Sequence, residues 1–132
     1  PISDGISTVG AIAITLAGAF PLVHFITKVF NKPLLKLGGL LGMNDKAAAG
    51  LIATLANNIP MFGLMKDMDT RGKIINVAFA VSGAFVFGDH LGFIAGVDKS
   101  MIFPMVVGKL VGGISAVILA IIMFGKVSEK NK

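Results

Sequence analysis

Apolar residues in this chain come in long blocks, separated by short charged islands. The first block covers about residues 5–27. At ~1.5 Å rise per residue it is long enough to cross a ~30 Å hydrocarbon core. Pro21 lies in its last third and is placed to kink it. Two further blocks of spanning length occupy about residues 74–97 and 101–124. The first of these is interrupted by Gly88-Asp89-His90. The piece before the interruption is too short to cross alone, so the polar triplet is expected within the membrane. The block 47–65 is interrupted at its middle by Asn57-Asn58-Ile59-Pro60, which is turn chemistry.

Residues 28–46 do not read as a span. Lys28, Lys32 and Lys36 recur every fourth residue and share one helical face, while Val29, Phe30, Leu34, Leu35, Leu37, Leu40 and Leu41 supply apolar surface. That pattern predicts a helix lying in the membrane interface over about 28–43. Pro33 suits its first turn, Gly38-Gly39 weakens its end, and Asn44 or Asp45 is placed to cap the next helix. The predicted fold is an all-α integral membrane helical bundle. It has three full spans, an interfacial helix, a re-entrant or broken segment at 47–65 and a discontinuous span at 74–97. Residues 1–132 form one part of a single polytopic domain.

Charge changes this picture by choosing between a span and a hairpin for 47–65. Four basic residues lie in 28–46, three in 66–73, three in the tail, and Lys99 and Lys109 stand apart. A full crossing would put the two richest islands on opposite faces. A segment that dips in and returns puts both islands and the tail on one face, with Lys99 opposite. The second arrangement follows the bias of cytoplasmic loops toward basic residues. Each arm of the hairpin would be roughly 15 Å long and would reach the midplane.

Composition agrees with a membrane protein. Of the 132 residues, 55% are hydrophobic and 14% charged, against about a quarter charged in soluble domains; mean hydropathy is +0.86. The net charge of +5 does not point to nucleic acid, because the basic residues flank apolar blocks instead of forming a stripe interleaved with aromatics. Cysteine is absent, which excludes disulfides and thiolate metal sites. No phosphate loop, HExxH or CxxC motif supports a cofactor, a metal or an enzyme activity. The chain opens Pro1-Ile2-Ser3-Asp4 with a span beginning at once, and closes on a short polar tail. The expectation is the C-terminal part of a longer protein whose N-terminal part is a partner of this one.

Four residues and one lysine carry the candidate chemistry. A carboxylate such as Asp89 near bilayer mid-depth costs at least about 2.5–3.5 kcal/mol, and it persists mainly where it lines a pathway or pairs with another charge. Asp89 either binds a solute, caps the half-helix that follows Gly88, or neutralises Lys109. Lys109 lies about 12 Å into the last span, deep for snorkelling. His90 reads as a second site residue or as an imidazole hydrogen-bonded between helices. Asn57 and Asn58 offer amides and freed backbone groups to a solute, or merely satisfy their turn. Asn76 and Ser82 have weaker claims, and His24 reads as structural. Gly88, Gly92 and Gly96, and Gly108 and Gly112, form small-residue ridges that permit close helix packing.

These residues are also recognisable. The stretch Ala56 to Lys73, reading ANNIPMFGLMKDMDTRGK, resembles the C-terminal part of the bacterial ethanolamine utilization transporter family, the EutH type. So do AFAVSGAFVFGDHL over Ala78 to Leu91 and MVVGKL over Met105 to Leu110. The likeness covers roughly residues 45–125 well and the first span loosely. It implies a multi-pass bacterial inner-membrane permease for ethanolamine, of about three times this length. The chemistry of a small ammonium alcohol would be met by Asp89 for the ammonium, Asn57 and Asn58 for the hydroxyl, and Phe87 or Phe93 for cation–π contact. The order of elements is similar to one half of an elevator-type carrier, a likeness of fold alone. A channel-like facilitator of a neutral solute and a non-transporting membrane subunit are the alternatives. A homo-oligomer is left open.

Overall fold

A computed structural model describes residues 2–29 and 31–130. Phe30 and the tail's last two residues lie outside the described residues, as do the side chains of His24, Leu34 and residues 125–130. Every regular element described is helical: α1 (Ile2–Val29), α2 (Asn31–Leu41), α3 (Asp45–Ala56), α4 (Asn58–Leu64), α5 (Thr70–Gly83), α6 (Asp89–Val97) and α7 (Ile102–Lys130). Short 3-10 turns, Met65–Asp67 and Lys99–Met101, follow α4 and precede α7. Among the described residues one helical stretch, Lys99–Phe124, is long and apolar enough to cross a membrane. α1 continues through Pro21 to Val29, so the amphipathic helix predicted from residue 28 starts only at Asn31.

Local chemistry explains where the helices begin and end. Pro33, Pro60 and Pro104 are each the third residue of a helix, where a missing N–H costs no hydrogen bond. α2 ends on Gly42 at φ +64°. The Met43 N–H reaches the Gly38 carbonyl at 2.9 Å and the Gly42 N–H reaches the Gly39 carbonyl at 3.2 Å. This is the paired closure that a left-handed residue after a helix permits. Lys28, Lys32 and Lys36 are all exposed. Of the two candidates for the α3 cap, Asn44 fills the role: its Oδ1 accepts from the Ala47 N–H at 3.0 Å.

The segment from α3 to the Met65–Asp67 turn leaves one point and returns to it. The Asn44 N–H donates to Asp69 Oδ1 at 3.0 Å, and the Asn44 amide donates to the Asp67 carbonyl at 2.9 Å. The bend between the arms is a single extended residue, Asn57, at φ −161° and ψ 144°. Arg71, one residue into α5, donates from Nε to the Leu41 carbonyl at 2.7 Å and lies 5.9 Å over the Phe124 ring. The end of α2, both ends of the α3–α4 excursion, the start of α5 and the Phe124 end of α7 therefore gather at one place. The Asp98–Ser100 turn lies at the other end of the Lys99–Phe124 stretch, about 39 Å away along the helix. In that turn Asp98 Oδ1 accepts from the Ser100 hydroxyl at 2.7 Å and the Ser100 N–H at 2.9 Å. Those bonds hold its carboxyl below the ordinary aspartate range. The turn keeps this support above the usual aspartate pKa and loses it as pH falls through the depressed value.

Packing relies on small residues. Ala47, Ala48, Gly50 and Ala53 of α3 are buried, and they meet Gly72, Ile75 and Asn76 of α5 and the Met68 side chain. Met61 of α4 is fully buried in the same cluster. The fully buried Asn76 crosses this interface, donating to the Ala47 and Gly72 carbonyls, both at 2.9 Å. α7 lies along α5: a Cβ at Gly113 would sit 2.9 Å from the Phe79 ring, and the Ser82 hydroxyl donates to the Lys109 carbonyl at 3.1 Å. Of the glycine ridges, Gly112 meets Ser82 and Gly88 meets Ala56, whereas Gly92, Gly96 and Gly108 face open space. The opposite side of α7 exposes Phe103, Val107, Val111, Ile114, Ile118 and Ile122, an apolar face at helical spacing.

Asn44→Ala removes the α3 cap and the side-chain tie to Asp67 together. It should cost about 1–2 kcal/mol, read as a lower melting temperature of the detergent-solubilised full-length protein; an unchanged midpoint would show that this closure contributes nothing.

Candidate functional site

The two helix breaks expected from sequence pack directly against each other. α3 ends at Ala56 because Asn57 turns to an extended conformation, donates to the Ala53 carbonyl at 2.8 Å and accepts from the Ile59 N–H at 2.8 Å through Oδ1. The second break is wider than the sequence suggested. It covers Ala84 to Gly88, between α5 and α6. From it the Phe85 N–H donates to the Thr54 carbonyl at 3.0 Å, and the Phe87 N–H to the Leu55 carbonyl at 2.8 Å. Two of the carbonyls that α3 leaves open at its C-terminus are thereby satisfied by the unwound strand of its neighbour. Gly88 completes the contact: a Cβ there would collide with the Ala56 carbonyl oxygen.

Asp89 stands at this crossing as the first residue of α6. It does not cap that helix by a hydrogen bond; the cap position is Gly88, without a side-chain bond. The carboxylate nonetheless sits in the first turn, where the helix dipole favours it. Its Oδ1 is buried and has no hydrogen-bond partner. Pairing with Lys109 therefore does not satisfy that oxygen. His90 turns its ring toward Phe85, with centroids 5.3 Å apart and planes at 46°. Lys109 is half-buried on α7, and its carbonyl accepts from the Ser82 hydroxyl. Asp89 and His90 line a cleft of about 430 Å³, together with Gly92, Phe93 and Gly96 of α6 and Thr8 and Ala11 of α1. Phe93 stands on the cleft wall, and Phe87, the other aromatic candidate, is not part of it.

The asparagines divide. Asn57 is buried and committed to its turn. Asn58, half-buried, keeps a buried Oδ1 without a partner. Two residues escaped the sequence reading. Thr54 is fully buried with an unpartnered hydroxyl, and only its place in the last turn of a helix aimed at Pro60 pointed to it. Phe85 takes φ +61°, a conformation that costs a non-glycine residue roughly 1–2 kcal/mol. No sequence signal marks it. Among the described residues no group of His and acidic side chains is arranged to hold a metal ion.

Residues 1–123 match the model of the family described as ethanolamine utilisation protein, EutH. The chain belongs to the EutH family. It is 69% identical over all 132 residues to a probable ethanolamine permease EutH of Listeria monocytogenes, covering 35% of that protein. It is 58% identical over 125 residues, 95% of the chain, to the Escherichia coli protein of the same name, covering 31% of it. A Bacillus subtilis protein named YxeR and described as uncharacterized is 54% identical over 99% of the chain and is covered to 35%. The chain thus spans about a third of the length of these relatives, of which the Listeria and Escherichia coli proteins are named as probable permeases. No solved structure matches this EutH chain.

Because the Ala56 carbonyl belongs to fixed backbone, Gly88→Ala should force the two breaks apart. In the full-length protein it should lower the melting temperature in detergent by several degrees, because a steric clash against fixed backbone costs about 1–3 kcal/mol. An unchanged midpoint would show that the close approach is dispensable.

Proposed function

We propose that this chain supplies the solute-binding crossing of an ethanolamine permease. The observation that carries the reading is Asp89: a carboxylate on a cleft wall, at the meeting of two helix breaks, with a buried oxygen that no protein donor reaches. Ethanolamine at neutral pH is a primary ammonium joined by two carbons to a hydroxyl. Its ammonium would meet the Asp89 carboxylate, giving that costly charge the partner it lacks. The Phe93 ring on the same wall offers cation–π contact. His90 and the amide of Asn58 are the polar groups available to the hydroxyl. The permease names of the relatives support the same solute.

The surrounding architecture fits a membrane placement. The α3–α4 excursion is a re-entrant hairpin, α1 and α7 are full spans, α5 and α6 make one discontinuous span, and α2 lies in the interface. Non-helical backbone is tolerated at membrane depth where it is buried in protein or lines a wet cavity. Both breaks meet that condition, because each is covered by the other. The hairpin ends, the basic 28–46 and 66–73 segments and the Phe124 end of α7 then share the cytoplasmic face. The protein is a multi-pass component of the bacterial inner membrane. A channel-like facilitator, with Asp89 as a structural partner of Lys109, is the weaker reading, because Asp89 Oδ1 has no such partner.

Asp89→Asn in the full-length permease should abolish ethanolamine uptake at low external concentration while membrane insertion is retained. Wild-type uptake would overturn the binding role, and rescue by adding Lys109→Met would transfer Asp89 to the pairing role. Single cysteines at Gly39, Thr70 and Ser128 of an otherwise cysteine-free protein should react with an impermeant thiol reagent from one face, and a cysteine at Ser100 from the other. Labelling at position 70 from the face opposite position 39 would exclude the hairpin.

A further inference from the structure

The glycines of this fold divide by what stands where a side chain would be. At Gly50, Gly72, Gly88, Gly112 and Gly113 an added Cβ would collide with a neighbouring segment, so close packing accounts for those positions. At Gly92 and Gly96 of α6 it would meet nothing within 4 Å among the described residues. Glycine is one of the poorest helix formers, and α6 has only nine residues. Two glycines weaken this short helix without bringing any described neighbour closer.

What lies over them is the cleft. Asp89, Gly92, Phe93 and Gly96 all line it, and their spacing of i, i+3, i+4 and i+7 is that of one helical face. A side chain at 92 or 96 would project from the same face as the Asp89 carboxylate and the Phe93 ring. The face runs about 10 Å along the helix axis, from Asp89 at the crossing to the last turn of α6, beside the Asp98–Ser100 turn. Thr8 and Ala11 of α1, with short side chains, form the other wall. At the crossing end stands a group that calls for a ligand: Asp89 Oδ1 is buried without a hydrogen-bond partner. The cleft holds about 430 Å³. Ethanolamine has four non-hydrogen atoms and fills roughly 120 Å³ at a water's share of volume for each, so it leaves most of that space empty.

We infer that Gly92 and Gly96 are the size-selecting positions of this cleft, and that the room they leave admits amino alcohols methylated at nitrogen as well as the primary ammonium. The inference rests on the reading of the cleft as the solute's. Methyl groups on the nitrogen leave the head positive at neutral pH, so the Asp89 carboxylate still attracts it. The Phe93 ring offers such a head cation–π contact. What the methyls add is bulk, and bulk is what a wall without side chains accepts. Alanine at either position would take part of that space with a methyl group of the protein.

The experiment measures uptake of labelled ethanolamine by the full-length permease in proteoliposomes, in competition with unlabelled ethanolamine and its N-methyl and N,N-dimethyl forms. In the wild type the dimethyl form should compete within about tenfold of ethanolamine itself. In Gly92→Ala and Gly96→Ala it should fall behind ethanolamine by a further tenfold or more, the discrimination that one methyl group supplies in a pocket. Gly108→Ala, on α7 and outside the cleft lining, should keep the wild-type ratio. Melting temperatures of the two α6 variants should stay level or rise, because alanine is the better helix former. A fall of several degrees in both would reveal a ridge packed against the rest of the protein and overturn the inference. So would a wild-type ratio in both variants, or a wild type that the dimethyl form does not inhibit. Asp89→Asn separates the two readings. Uptake lost in Asp89→Asn, with the ratio unmoved by either alanine, sinks this inference alone. Uptake kept in Asp89→Asn, with the ratio moved, upholds the size-selecting wall and removes Asp89 from solute binding. No ethanolamine uptake by the wild type overturns both.

Discussion

A helix that stops inside a bundle leaves carbonyl oxygens without donors, and in an apolar medium water does not answer them. This requirement organises the chain. α3 stops at Ala56 because Asn57 turns away and Pro60 brings no N–H. The carbonyls it leaves are met by the backbone of a second helix that has also stopped, between Gly83 and Asp89. Each break is the other's solution. Neither would be stable against a continuous helix, whose N–H groups are already bonded to its own turns. The Phe85 conformation, costly in isolation, persists because its N–H and its ring both have partners in place.

Everything around the crossing serves to bring these two backbones close. α3 presents Ala47, Ala48, Gly50 and Ala53 to α5, so that the helices approach with little side chain between them. Gly112 and Gly113 let α7 lie on Ser82 and Phe79. At the far end of the excursion, Asn44 is tied to Asp67 and Asp69 while Arg71 joins α2, α5 and α7. Polar bonds close the end rich in charge, and close-packed small residues hold the interior. The excursion is held at its root and at its tip.

The site inherits its chemistry from the same economy of donors. The Phe85 and Phe87 N–H groups are spent on the Thr54 and Leu55 carbonyls, and Asp89 Oδ1 is buried without a hydrogen-bond partner. A carboxylate whose buried oxygen lacks a donor favours a cationic guest, which supplies both opposite charge and a hydrogen bond. Nor is the carboxylate spent on a helix cap, because the cap position of α6 belongs to Gly88.

Much of this was legible in the chain itself. The blocks of apolar residues, the turn chemistry at Asn57 to Pro60 and the polar triplet at Gly88 to His90 determined where helices run and roughly where they break, because those are properties of local backbone preference. The quoted motifs determined the family. Asn44 or Asp45 as a cap and Pro60 as part of a turn are likewise local facts. The tertiary structure alone decided that the second break opens as early as Ala84, since Phe85 is driven out of the helix by the Thr54 carbonyl and not by its own preference. It alone showed Thr54 buried with an unpartnered hydroxyl, Asn57 spent on its turn while Asn58 is not, and Asp89 Oδ1 without the Lys109 partner that sequence allowed. The reason is physical: a hydrogen bond across two breaks depends on where two distant backbones meet, and no residue's own preference encodes its partner's position.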